Sequence, residues 1–190
     1  RPTQECKISV ITDRSETSYL QSSDGLGGMV SSLIDAMRDG FKRRIFAFEG
    51  QWDEVCADLS LIPNAIEEVL RFNSSQIAWR RVTTKDTTVG GFDVPAGTGI
   101  FMNFASAHRQ NDIWDNPDVF DIHRPNANRH ISFGKGVHFC LGAKFAKFET
   151  QLMLEAVSQR LPSLQLVDQE LEYFPNITFR GPSKLHLAWA

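Results

Sequence analysis

The ten residues Phe133-Gly134-Lys135-Gly136-Val137-His138-Phe139-Cys140-Leu141-Gly142 constrain this chain most. Three glycines in ten positions exclude a helix interior, where glycine loses the most backbone entropy. From Ala143 to Arg160 the sequence becomes helix-forming and amphipathic. The stretch therefore reads as a tight, glycine-shaped loop entering a helix N-terminus, with Cys140 at the junction. A cysteine there faces free backbone N–H groups and the positive end of the helix dipole, which favour thiolate over thiol. Such a thiolate is a ligand for a soft metal, or for iron in a porphyrin. The competing reading is a buried small hydrophobe at a helix cap, the ordinary fate of a lone cysteine.

A length of 190 residues suits one domain or two small ones. A hydrophobic fraction of 42%, with 14 Phe and 4 Trp, can supply a core. The net charge of −3 makes no case for nucleic-acid binding. No apolar run approaches the ~18 residues that span a bilayer, so no membrane segment is expected. No signal-peptide pattern opens the sequence. Cys6, Cys56 and Cys140 are odd in number and widely spaced. They form neither a disulfide framework nor a zinc pattern, which points to a reducing compartment, the cytoplasm.

Arg1 to Asp24 is a polar lead-in in which Lys7 to Ile11 reads as a short helix or its end. Over Gly25 to Glu49, apolar residues from Leu26 to Phe48 recur at helical spacing, with Asp35, Arg38, Asp39 and Lys42 on the other side. A short helix over Gln51 to Leu59 turns Trp52, Val55, Cys56 and Leu59 inward, and Cys56 reads as a core residue. Ser60 stands where a helix cap is wanted, and Pro63 suits the first turn of the next helix, to Phe72. Within it, Glu68 and Arg71 are neighbours at i,i+3. Ser75 to Phe104 carries strand signals with turns at Gly90-Gly91 and Pro95-Ala96-Gly97, suiting a small antiparallel sheet. Ala105 to Arg129 reads as a short helix and then irregular chain. Its histidines, with His130, match no zinc spacing and read as solvated. After the cysteine, Ala146, Thr150, Met153, Val157 and Leu161 mark the inward stripe of a helix that Pro162 ends.

The run Phe-Gly-x-Gly-x-His-x-Cys-Leu-Gly, continuing through Ala143-Lys144-Phe145-Ala146-Lys147-Phe148-Glu149, resembles the heme-binding signature of the cytochrome P-450 family, the heme-thiolate monooxygenases. The resemblance implies a mainly α fold with a small antiparallel β component, truncated to the family's C-terminal half. It implies one heme-binding domain over 1–190: the lead-in at 1–24, a degenerate central helix at 25–50 and a well-matched core at 51–190. Cys140 would be the proximal iron ligand of heme b. His138 would hold a propionate and Phe133 would pack near the sulfur. Gly134 and Gly136 would let the backbone approach it. Ser132, Val137, Leu141, Gly142 and Ala146 would complete the cofactor contacts. Arg81 is the second propionate candidate, with a solvent-facing strand arginine as its alternative. Glu68, Arg71 and Arg124 match the family's structural Glu-x-x-Arg triad and are assigned to scaffold. In the central helix Asp39 matches the acid of the proton-delivery pair, but Gly40 replaces its alcohol. A placement on Gly28 to Ser32 keeps a hydroxyl, Ser31, and loses the acid. Phe174 to Ala190 resembles the family's C-terminal hairpin, which reads the chain end as natural.

These features imply an oxidoreductase acting on a small organic molecule. A ferredoxin-type redox partner would dock near Lys135, Lys144 and Lys147. A homodimer or a partner chain would cover the distal heme face. The alternative is a heme-binding remnant (sensor, carrier or partner subunit) without monooxygenase activity. A third reading is a fragment of a longer chain.

Overall fold

Helix α2, Ile62–Phe72, is the element against which the rest is laid down. Ile62, Ala65, Ile66, Val69 and Leu70 recur at helical spacing and are all buried. Pro63 lies in its first turn, where a missing N–H costs nothing. A computed structural model of the chain describes residues 6–11, 50–166, 169–173, 175–181 and 184–189. The central-helix reading over 25–49, with Asp39, lies outside these residues.

Helix α1, Gln51–Ala57, precedes α2 and is shorter than expected. Leu59–Leu61 forms a separate 3-10 turn; Val55 is buried, Trp52 and Leu59 pack half-buried against the core, and Cys56 is also half-buried. Ser60 is not the cap of α2, whose N-cap position, Leu61, makes no side-chain hydrogen bond. Asp58 caps the 3-10 turn instead and accepts a hydrogen bond from the Ser60 amide at 2.9 Å, as an acidic side chain preceding a turn does. Gln51 ties α1 to the long irregular segment, donating to the Phe120 carbonyl and accepting from the Ile122 amide.

The strand region resolves into two ladders. Strand β2, Ala78–Val82, pairs antiparallel with β5, Gly99–Asn103, placing Arg81 opposite Ile100. Strands β3, Thr87–Val89, and β4, Phe92–Val94, form a hairpin beyond them. Its turn uses Gly90 and Gly91, both at positive φ. Helix α3, Phe104–Ala107, follows β5, capped by the Asn103 side chain. Helix α4, Ala143–Arg160, packs on α2. Strand β6, Gln165–Leu166, pairs with β7, Lys184–Trp189. β7 also pairs with β1, Cys6–Ile11, in one three-stranded antiparallel sheet. The segment expected as a short helix is thus a strand. Ile8, Val10 and Ile11 suit extended chain, but the partner that settles it is almost the whole chain away.

Helix α4 buries Ala146 and Thr150 as expected and packs a half-buried Met153 against the core, but its fully buried line then continues one residue over. Its buried residues are Ala143, Ala146, Thr150, Leu154 and Ser158, while Met153 and Val157 are half-buried and Leu161 lies past its end. The two buried hydroxyls donate to carbonyls one turn back, Thr150 to Ala146 and Ser158 to Glu155. A face of small residues and self-satisfied hydroxyls therefore packs on α2 at no hydrogen-bonding cost.

The polar centre of the fold is Glu68, fully buried, with Arg71 and Arg124. Arg71 donates Nε and Nη2 to the two carboxylate oxygens at 2.7 Å each, and Arg124 donates Nε to both at 3.1 Å. The remaining guanidinium N–H groups go to carbonyls. Arg71 reaches His108, Pro117 and Val119, and Arg124 reaches Asp115, Asn116 and Val119. One carboxylate and two cations thereby wrap the irregular chain between His108 and Arg124 around α2. Removing the carboxylate leaves two buried cations without an anion, at a cost of about 3–5 kcal/mol. Against the ~5–15 kcal/mol that holds an ordinary domain together, Glu68→Ala is expected to lower the denaturant midpoint sharply or abolish cooperative unfolding. Equilibrium urea unfolding followed by circular dichroism checks this.

Candidate functional site

The cysteine loop is built from backbone turns that only glycine makes easily. Gly134 and Gly136 have φ of 75° and 74°, where a Cβ would crowd the backbone. The Gly134 amide donates to the Ile131 carbonyl, and a 3-10 turn follows over Gly136–His138. The Cys140 amide donates to the Phe133 carbonyl at 2.9 Å, closing the loop on itself. α4 begins at Ala143, with Gly142 at its cap position and no side-chain cap. A side chain at position 142 would stand 3.8 Å from the Cys140 sulfur, so glycine leaves that side of the sulfur open. Cys140 is a free, exposed thiol. The alternative of a buried hydrophobe at a helix cap is thereby overturned. The cysteine's own amide is engaged by Phe133 rather than free.

Around the sulfur the surface is apolar. Val137 and Leu141 are 97% and 103% exposed, and Phe139 is half exposed. On α4, Phe145, Phe148 and Leu152 are exposed at 64%, 57% and 49%. Their i, i+3, i+7 spacing forms a stripe on the side away from the buried residues. The helix thus buries its small and hydroxylated face against α2 and shows its large apolar face to the outside. Exposed apolar surface of this kind marks a place where something else binds.

His138 is exposed two residues before the cysteine. Arg81 is exposed on β2, its Nη1 donating to the Arg80 carbonyl and its guanidinium 5.6 Å from the Trp79 ring centroid. Phe133 is half-buried between the rings of His130 and Phe139. Ser132 is buried, its hydroxyl donating to the Leu70 carbonyl at 2.5 Å. Ala146 sits in the hydrophobic core with Ile66 and Leu70. Lys135 and Lys144 are exposed. Lys147 is instead tied to Glu67, at 2.7 and 2.8 Å from its two oxygens, and is no free surface charge.

The loop histidines differ from the solvated set expected of them. Only His123 is exposed, pairing with Glu54 at 2.7 Å. His108 is 1% exposed. Its Nε2 accepts the Ile131 amide at 2.9 Å, which assigns the hydrogen to Nδ1. Nδ1 has no hydrogen-bond partner among the described residues. The ring stands edge-on to Trp114 and His130. No spacing rule signals this role, because the contact joins two irregular segments. Among the described residues, no group of three or more His, Cys, Asp or Glu is placed to hold a metal. No helix there is long and apolar enough to cross a membrane.

Residues 44–183 match the family model "Cytochrome P450". The chain belongs to the cytochrome P450 family. It is 38% identical over 136 residues to cyclomarin C epoxidase CymV of Salinispora arenicola, covering 72% of this chain and 34% of that protein. It is 42% identical over 129 residues to a steroid C26-monooxygenase of Mycolicibacterium smegmatis, covering 68% of this chain and 32% of that one. The P450 heme domain of Tepidiphilus thermophilus superposes with a TM-score of 0.77 at 40% identity, covering 86% of this chain and 38% of that one. The chain thus spans about a third of the length of the curated P450 relatives it matches. Its helices and small antiparallel sheets are those of a partial P450 fold.

Burial, then the positive charges of His130, Arg71 and Arg109, push His108 from 6.5 down to about 3. A depressed histidine is protonated first in the unfolded chain. Stability is therefore predicted to fall as pH drops below 6.5 and to stop falling on this account near pH 3, by at most ~1.4 kcal/mol per pH unit. Melting temperatures between pH 7.5 and 4 for the wild type and His108→Gln check this. The variant is expected to show the shallower slope.

Proposed function

We propose that the chain is a single heme-binding domain that holds heme b through the Cys140 sulfur and acts as an oxidoreductase on a small organic molecule. One observation carries the proposal: an exposed thiol lies among exposed apolar residues, on a loop whose glycines turn it at positive φ. The residues present fit the group. A soft sulfur suits iron. Val137, Phe139 and Leu141 suit an apolar macrocycle, and His138 and Arg81 suit its carboxylates. When bound, such a heme supplies an iron toward which the thiolate pushes electron density, favouring O–O cleavage.

The chain's own residues have defined tasks in this reading. The loop turns hold the sulfur outward. Phe133 shields the sulfur side from water. Gly142 leaves room beside it. His138 and Arg81 anchor the propionates, Arg81 exchanging its contact with the Arg80 carbonyl for a stronger charge-assisted one. Ser132 holds the loop to α2 through Leu70, and Ala146, buried against Ile66 and Leu70, supports the loop from the core rather than touching the cofactor. Asp39, on a degenerate central helix over 25–50, is the acid for proton delivery, with residues 1–24 as a lead-in. Lys135 and Lys144 face a ferredoxin-type partner. A second copy or a partner chain covers the distal heme face. Reduced thiols suit a cytoplasmic location.

A second reading, favoured by Gly40 standing in place of the alcohol beside Asp39, is a heme-binding sensor, carrier or partner subunit without monooxygenase activity. Product formation with peroxide, or with a ferredoxin and its reductase, separates the two. For the sulfur itself, the reduced protein with carbon monoxide is expected to show a strongly red-shifted Soret band that Cys140→Ser loses. An unaltered band in Cys140→Ser would remove the proposal.

A further inference from the structure

The cysteine loop is held at both ends by one side chain that no motif singles out. His130 stands at the entry of the loop and Lys147 in the helix after its exit. Both bind Glu67, His130 Nε2 at 3.0 Å and Lys147 Nζ at 2.7 and 2.8 Å. His130 Nδ1 accepts the Ser132 amide at 3.1 Å, so Nε2 carries the hydrogen that goes to Glu67. Lys147 Nζ also lies 5.6 Å from the Phe133 ring centroid, inside the loop's entry. The His130 and Glu67 side chains are 3% and 18% exposed, so this is not a free surface pair. Burial alone raises the Glu67 pKa, but the hydrogen bonds and charges of His130 and Lys147 outweigh it and leave the carboxyl below 4.5. Glu67 adjoins Glu68 on α2. Successive residues of one helix thus organise the 108–124 segment and the cysteine loop.

We propose that Glu67 is a positioning residue for Cys140, a carboxylate clamp that closes the loop by joining His130 to Lys147. As a means of setting the iron's sulfur it rests on Cys140 being the ligand. As a device of the loop it stands without any cofactor.

Hydrogen exchange of the 190-residue chain tests it at three hydrogen-bonded amides, Ile131, held by His108, and Ser132 and Cys140, held by His130 and Phe133. Glu67→Gln is expected to speed their exchange about tenfold, the effect of one lost charge-assisted hydrogen bond. Amides of β2 and β5 are expected to be unchanged. Lys147→Met is expected to match it, Lys147→Arg to stay near wild type, and Glu67→Gln with Lys147→Met to be no worse than either alone. Acceleration spread evenly over the chain, additive single effects or no change would overturn the clamp. In the heme-loaded protein, Glu67→Gln is expected to shorten the lifetime of the red-shifted carbon monoxide band several-fold, and an unchanged lifetime counts against it. Local exchange effects with no red-shifted band in the wild type would uphold the clamp and defeat the ligand assignment instead.

Discussion

The carboxylate of Glu68, sealed between Arg71 and Arg124, is the constraint on which the rest of this structure depends. Neither guanidinium nor carboxylate is solvated, so each must find its partners inside the protein. The partners are the backbone carbonyls of 108, 115, 116, 117 and 119. A segment with neither strand nor helix thereby acquires one path. The gain is in geometry more than in stability, because desolvation of the three charges offsets much of their attraction. From that path follow the placing of His108 beneath the Ile131 amide and the start of the cysteine loop.

Helix α4 inverts the usual economy of an amphipathic helix. Its inner face is Ala143, Ala146, Thr150, Leu154 and Ser158, and its outer face carries Phe145, Phe148 and Leu152. Small residues let α4 lie close on α2, bringing Lys147 within reach of Glu67. The large residues stay exposed. Packing thus occupies one side of this helix, with the cysteine at its head, and the opposite side is left uncovered among the described residues.

Much of this was legible because it is local. The glycine spacing before Cys140 required positive φ, and Gly134 and Gly136 adopt it. Glu68 and Arg71 are three residues apart on one helix, so their pairing follows from helical geometry. What escaped was set at a distance. Ser60 looked like the cap of α2, but α2 has no side-chain cap and Asp58 caps the 3-10 turn before it. Val157 looked as inward as Thr150, but Leu154 and Ser158 take the buried places and leave Val157 half-buried. His108 looked solvated because its segment has no periodicity from which burial could be read.

By itself the sequence determined the family, the loop-to-helix junction at Cys140, the helix that follows it and the presence of a soft sulfur at that junction. All are written in residue types at short, regular spacing. Only the tertiary structure decided that Glu67 answers both His130 and Lys147, that β7 takes β1 as its partner, and which face of α4 is buried. These join residues remote in the chain. Their pairing is a property of how α2 orders its neighbours, and no local preference encodes it.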